Sequence, residues 1–466
     1  MKEGIQDIYP LSAIQHGILF HCLHAPEMRL YHMQDIYTFH GSLNIPAFEY
    51  AWQQLSVLHT ALRTSFYWEE LDKPLQVVHE KVEVPIEYQD WRGITPLVQQ
   101  EQLKSLLKTD RLRSFDFSQA PLIRLALIQI EDNTYYLVWV WHLIILDGWS
   151  LPLLLGDVIK LYEAYRLGQD APLISGTCFG NYIDWLQQQD SSKAEKFWRQ
   201  QLSSVKEPTP INNLHSSNLS NLEERYEDIQ ISLSEAITKN LDLLARQNRL
   251  TMSTLVQAAW AILLARYSGK NDVVYGCTFS GRPVNLEGSE SMVGEMVNTL
   301  PVKIKVDMDE YLLPWLEQLQ NQLVDIREYE YYPLVDVQKC SKVPGNIPLF
   351  ESFVVFENQK TGKFLEEWGS LSISEYTEHY KTNYPLTIVG YPGLELTIGI
   401  NYDFRSFNAA TIINILKHLK ALLESMVANP QVSLQQLSLV TVQKPHAELL
   451  MLEKEMSLDF DFVSSN

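Results

Sequence analysis

The stretch WVWHLIILDGWSLPLLL (residues 139–155) gathers the residues best suited to chemistry: His142, five positions before the pair Asp147-Gly148. An imidazole can pass a proton near neutral pH, and a carboxylate can hold a cation or accept several hydrogen bonds. Asp-Gly after an apolar strand favours a tight turn. Pro152 suits the first turn of a helix, and Leu153, Leu154, Ile159, Leu161 and Tyr165 recur as a buried face until Gly168 ends it. If the run is extended throughout, side chains alternate, so Asp147 shares a face with Leu143 and Ile145 while His142 points the other way. By itself a strand ending in Asp-Gly is a weak sign of chemistry.

The elements that must position this stretch are α/β in kind. LIRLALIQI (122–130) and YYLVWVWHLIIL (135–146) read as adjacent buried strands joined by EDNT, and AFEYAWQQLSVLHTALRTSF (47–66) has helical apolar spacing. SSVKEPTPINNLHSSNLSNLEER (203–225), rich in Ser, Asn and Pro, is the best linker. Beyond it, SEAITKNLDLLARQNRL starts with a serine cap, and STLVQAAWAILLARYSG is a largely buried helix stopped by Gly269. Strand-like segments follow at DVVYGCTFS, LPVKIKVD, LFESFVVFEN and LELTIGINYDF, then a last helix, NAATIINILKHLKALLESMVANP. Two α/β halves around one linker suggest two lobes with a cleft between them, a frequent place for a site.

Composition narrows the function classes. The 466 residues, 46% hydrophobic and 20% charged, suffice for a real core in two lobes. A formal charge of −20 argues against nucleic acid as the main partner. Cys22, Cys178, Cys277 and Cys340 lie far apart, with no metal-ligand spacing, which fits reduced thiols and a cytoplasmic protein. The opening MKEGIQDIYPLSA lacks the apolar core of a signal peptide, and the run at 135–146 is shorter than the ~20 residues a membrane span needs. A soluble protein without a membrane partner is expected.

LSVLHTALRTSF (55–66), WHLIILDGWS (141–150), FGNYIDW (179–185), SGRP (280–283), VGEMVNTLPV (293–302), YYPL (331–334) and IPLFESFVVFEN (347–358) occur in that order. Together they resemble the condensation domains of nonribosomal peptide synthetases over almost the whole chain. The resemblance implies two chloramphenicol-acetyltransferase-like lobes in a V-shaped pseudo-dimer with a tunnel between them. The expected division is an N-terminal lobe over 1–188, a C-terminal lobe over 189–440, and a tail at 441–466 leading towards a following domain. An upstream carrier protein would present an acyl or peptidyl thioester, and a downstream carrier an aminoacyl thioester whose amine attacks it. The domain itself would bind no cofactor and no metal, because the phosphopantetheine arms come with the carriers. Neighbouring adenylation and epimerisation domains are further implied partners. YPLSAIQHGILFHCL (9–23) with DGWSLPLLL looks more like the subclass that accepts D-configured donors.

Aligned on Asp147-Gly148, the family's HHxxxDG motif puts its first histidine at His142 and its second, the tunnel-facing one, at Leu143. The resemblance implies a structural His142, and leucine can neither accept nor donate a proton. It also implies an ion pair between Asp147 and an arginine, with Arg282 and Arg63 as candidates. Gly148 would let backbone approach a thioester, and Trp149, Ser150, Asn298 and Glu295 are expected to line the tunnel. Glu295, where the family has an apolar residue, reads as a solvated loop residue, with a substitute base as the sharper alternative. Tyr182, Asp184 and Trp185 read as packing and helix-end contacts.

Three explanations of Leu143 fit the sequence: an engineered substitution, a natural domain that condenses slowly by positioning alone, or a non-catalytic domain that binds carriers or recruits a partner. Coenzyme-A acyltransferases with HxxxDG would also need a histidine at 143, and no DFGWG-like segment is present. Heterocyclising relatives carry DxxxxD, and epimerising ones keep both histidines.

Overall fold

Aromatic and β-branched residues on both faces of the hairpin around Asp132-Asn133 build the centre of the first lobe. In the computed structural model, which describes residues 4–170, 177–211, 226–357, 369, 371–379 and 384–439, the strands fall into three sheets. They are β1 (Ile5–Pro10), β2 (His32–His40), β3 (Thr64–Tyr67), β4 (Leu75–His79), β5 (Ile86–Asp90), β6 (Ile123–Glu131) and β7 (Thr134–His142) in the first half. The second half adds β8 (Tyr226–Ser232), β9 (Asp272–Phe279), β10 (Asn298–Lys305), β11 (Ser352–Phe356), β12 (Ser372–His379), β13 (Leu386–Tyr391) and β14 (Thr397–Asp403). Their orders are β12-β2-β7-β6-β5, β10-β9-β11-β13-β14-β8, and a small β1-β4-β3.

Strand β7 shows how the core forms. Its odd positions, Leu137, Trp139 and Trp141, enter a cluster with Trp52 and Leu55 of helix α1 (Ile45–Leu58) and with Leu154, Val158 and Leu161 of α2 (Ser150–Arg166). Trp52 meets Trp139 edge-on, with ring centroids 5.1 Å apart. Its even positions, Val138 and Val140, pack under the helix Pro96–Arg111 with Trp91 and Leu107. A strand covered on both faces reads as a continuous apolar run, and each fully buried large side chain contributes about 1.5–3 kcal/mol.

The second sheet carries its own core, around the buried helix Met252–Ser268, which ends at Gly269 with φ 68°. Trp198 and Leu202, together with Val205 and Ile211, belong to this core. Residues 212–225 of the expected linker and the tail from 440 onward lie outside the described residues.

Two features depart from the sequence reading. The helix expected across 47–66 stops at Leu58, gives way to a 3-10 turn at Thr60–Arg63, and becomes strand β3. Strand β12, counted by sequence into the second lobe, pairs antiparallel with β2 and completes the edge of the first sheet. Long-range pairing of this kind leaves no local signature. A further small cluster, with Tyr9, Phe179 and Tyr182 from one half and Met292 and Met296 from the other, forms the seam between the lobes.

Candidate active site

Strand β7 ends at His142, and residues 143–145 form a turn closed by the Ile145 N–H on the His142 carbonyl at 3.1 Å. The alternation expected to run on to Asp147 therefore stops five residues early. His142 is buried, 3% exposed. The Ile144 N–H donates to Nδ1 at 3.2 Å, so the ring proton sits on Nε2, which lies 3.6 Å from Cys22 Sγ. Phe117 and Phe115 meet the ring edge-on. Burial, with His32 adding to it, lowers the imidazole pKa to about 3, against a hydrogen bond to the Leu30 backbone. A ring this reluctant to take a proton is not a base at neutral pH. Leu143, half-buried, packs against the cluster that holds Trp139.

Asp147 is fully buried and satisfied five times over. Arg282 donates from Nη1 to Oδ2 at 2.7 Å and from Nη2 to Oδ1 at 3.0 Å. The Ser150 N–H and hydroxyl reach Oδ1 at 2.9 and 2.7 Å, and the Met296 N–H reaches Oδ2 at 3.2 Å. Ser150 then bonds the Gly294 carbonyl at 3.2 Å and receives the Gly294 N–H at 3.1 Å. One carboxylate thus opens helix α2 and fastens the first lobe to two segments of the second. Bidentate, charge-assisted bonding suits a fixed joint rather than a reacting group.

Arg63, the other candidate partner, is elsewhere. Its Nε donates to the Ser56 carbonyl at 2.6 Å and its Nη2 to the Val57 carbonyl at 3.2 Å, while Nη1 serves Gln6 Oε1 and the His79 carbonyl. It caps the orphan carbonyls of helix α1, which is why that helix can stop at Leu58.

Of the four residues expected to line a tunnel, three are enclosed. Ser150 is 0% exposed and engaged as above. Asn298 donates its amide to the Glu330 and Tyr332 carbonyls at 2.7 and 3.0 Å, pinning the start of β10 to that loop. Glu295, read as solvated, is 1% exposed, and its Oε2 has no hydrogen-bond partner. Burial first, and the Asp147 charge second, push its carboxyl well above the usual range, with Arg282 opposing. Only Trp149 stays partly exposed, donating to the Glu290 carbonyl at 2.9 Å and lying under the Arg282 guanidinium. Gly148 is exposed, and a side chain there would meet only Glu357, so the motif loop leaves open space on that side.

Glu330 escaped the sequence reading. It is buried, its Oε2 is also unpartnered, and burial raises its pKa to about 7 against Arg327, the Gly281 N–H and Arg282. Tyr182 is buried in the seam, within the field of Glu330, Glu295 and Asp147, and Trp185 stacks on its ring. A lone Glu ahead of Tyr-Tyr-Pro carries no sequence signal of burial.

The site is an enclosed ion-pair joint between two lobes beneath an open, glycine-bearing loop. The condensation-domain model matches residues 5–449, and the chain belongs to that family. It is 40% identical to a linear gramicidin synthase of Brevibacillus parabrevis over 461 residues, 98% of this chain and 6% of that protein. It thus spans a small part of that relative's length. The fold is shared with a four-domain nonribosomal peptide synthetase, holo-AB3403 bound to AMP and glycine, at TM-score 0.77 and 22% identity, covering 95% of this chain and 34% of that one. It is shared too with the X-domain of teicoplanin biosynthesis in its complex with OxyB, at TM-score 0.75 and 19% identity, covering 95% and 97%. The two lobes are accordingly of the chloramphenicol-acetyltransferase-like kind. Among the described residues no helix is long and apolar enough to cross a membrane.

Proposed function

We propose that this domain brings together two thioesters on the phosphopantetheine arms of an upstream and a downstream carrier protein and joins them slowly, because position 143 is leucine. The observation that carries the reading is a contrast. The joint that fixes the motif loop is complete, whereas the neighbouring position that would handle a proton is aliphatic. What is left to catalysis is orientation of the thioesters, exclusion of water, and N–H donors such as that of Gly148. The domain works beside an adenylation domain in the cytoplasm. An epimerisation domain precedes it if the D-donor features at residues 9–23 hold.

The test is single-turnover amide formation with loaded donor and acceptor carriers. Leu143→His is expected to raise the rate by 10²-fold or more, roughly the contribution of one positioned acid–base group. Equal rates for the two proteins contradict the reading. The second reading, a domain that binds carriers or recruits a partner without chemistry, draws on the same leucine and on the likeness to the X-domain. It is preferred if only the histidine variant forms product.

A further inference from the structure

Position 143 has a polar neighbour in Tyr31. This residue precedes β2, and its carbonyl accepts the Leu143 N–H at 3.0 Å, extending the ladder beyond its first pair, His32 and His142. Its backbone lies in the left-handed region, with φ 64°, as does that of Arg29 at 47°. A bulky residue rarely adopts that conformation, and it persists only where the surroundings hold it. The phenol is held as well. Its oxygen is 2.8 Å from Nδ1 of His21, which lies in the last turn of the helix Ala13–His24, and the two rings stack 10° from parallel. Neither side chain is fully buried. Burial keeps the phenol protonated, with Tyr384, Cys22 and Glu295 adding to it. The ladder bond to Leu143 and the partial exposure of Tyr31 place this residue beside the motif position.

We propose that the Tyr31 hydroxyl, oriented by His21, donates a hydrogen bond to the developing oxyanion in place of the imidazole that position 143 lacks. The inference rests on the condensation reading. With its proton on Nδ1, His21 donates to the phenol oxygen and leaves the phenol proton free for the cleft. Burial, with His24 adding to it, lowers the His21 pKa and so favours the neutral ring. In the reaction the acceptor amine attacks the donor thioester carbon, a C–N bond forms, and the carbonyl electrons move onto oxygen, which accepts from Tyr31. Collapse restores the carbonyl, breaks the C–S bond, and leaves the pantetheine sulfur to take the proton that nitrogen sheds. Tyr31 is neither acid nor base in this step and keeps its proton throughout.

Single-turnover rates in two backgrounds test it. Tyr31→Phe keeps the ring and removes the hydroxyl. It should slow the parent about 10²-fold, the scale of one oxyanion donor, and slow the Leu143→His chain by no more than about threefold, because coupled groups are not additive. His21→Asn, which offers an N–H near the place of Nδ1, should stay within about threefold of the parent, and His21→Leu should fall about tenfold. The His21 pair carries the test should Tyr31→Phe fail to fold. Equal rates for Tyr31→Phe and the parent overturn the proposal. So does the same loss in both backgrounds, which marks a structural role, or a silent parent beside an active Leu143→His. If neither of those last two forms product, the condensation reading itself fails, and the proposal falls with it.

Discussion

Asp147 and Glu295 are both buried carboxyls at the seam, one from each lobe, within electrostatic reach of each other, yet burial is met in opposite ways. Asp147 accepts from Arg282, Ser150 and the Met296 backbone. Glu295 keeps an oxygen with no partner. A charge taken out of water is tolerable when its lone pairs are met, and otherwise the group prefers to stay protonated. The first carboxyl therefore behaves as a rivet between lobes, while burial holds the second towards its protonated form. Neither offers a base to a substrate: one is fully bonded, the other enclosed. Under the proposed condensation reading, neither carboxylate stands in for an imidazole at position 143.

The comparison breaks most visibly at the rivet. Asp147→Ala leaves Arg282 with no counter-charge in a dry seam, and should cost about 3–5 kcal/mol of stability in urea unfolding. An unchanged midpoint would mean that the carboxylate is replaceable by water. Arg63→Ala should cost less, about 2 kcal/mol, through the uncapped end of helix α1, and should leave the coupling between lobes intact. A loss as large as that of Asp147→Ala would show that the two arginines do similar work.

Glu295 sharpens the other side. Its pKa is raised on folding, so the stability it affects is fully present below the unfolded carboxyl value, 4.5, and is lost as pH rises towards the folded value. Glu330 acts the same way between 4.5 and about 7. The domain should therefore be less stable at pH 8 than at pH 5 by this contribution. Glu295→Gln should recover about 1 kcal/mol at pH 8 and flatten the profile. A profile parallel to the parent's would mean that Glu295 is ionised and solvated in the folded protein.

How much of this was legible follows from how local each feature is. The β6–β7 hairpin and the helix stopped by Gly269 stand in the sequence, because apolar pattern and turn residues lie within one segment. The Asp147 partner was narrowed to two arginines, and choosing between them needed the fold: Arg63 is consumed by carbonyls close to it in sequence, while Arg282 comes from the other lobe. The burial of Glu295 is not legible in the sequence, because a charged residue in a loop looks solvated until a second lobe closes over it. β12 was missed because its partner, β2, lies more than three hundred residues earlier, between Ser372 and His40 at one end of the ladder. Tyr31 gives no sequence signal, because a left-handed backbone and a bond to His21 have no sequence pattern.

The central claim is that position 143 governs chemistry while the lobes remain a platform for loaded carriers. Leucine and histidine are similar in bulk, and the carriers would dock on outer faces away from the strand end. Titration of loaded donor and acceptor carriers against the parent and Leu143→His, by calorimetry or NMR, tests this directly. The account predicts the same Kd for both, micromolar or weaker as small transient interfaces give, alongside a rate difference of 10²-fold or more. Binding that appears only in the histidine form would contradict it.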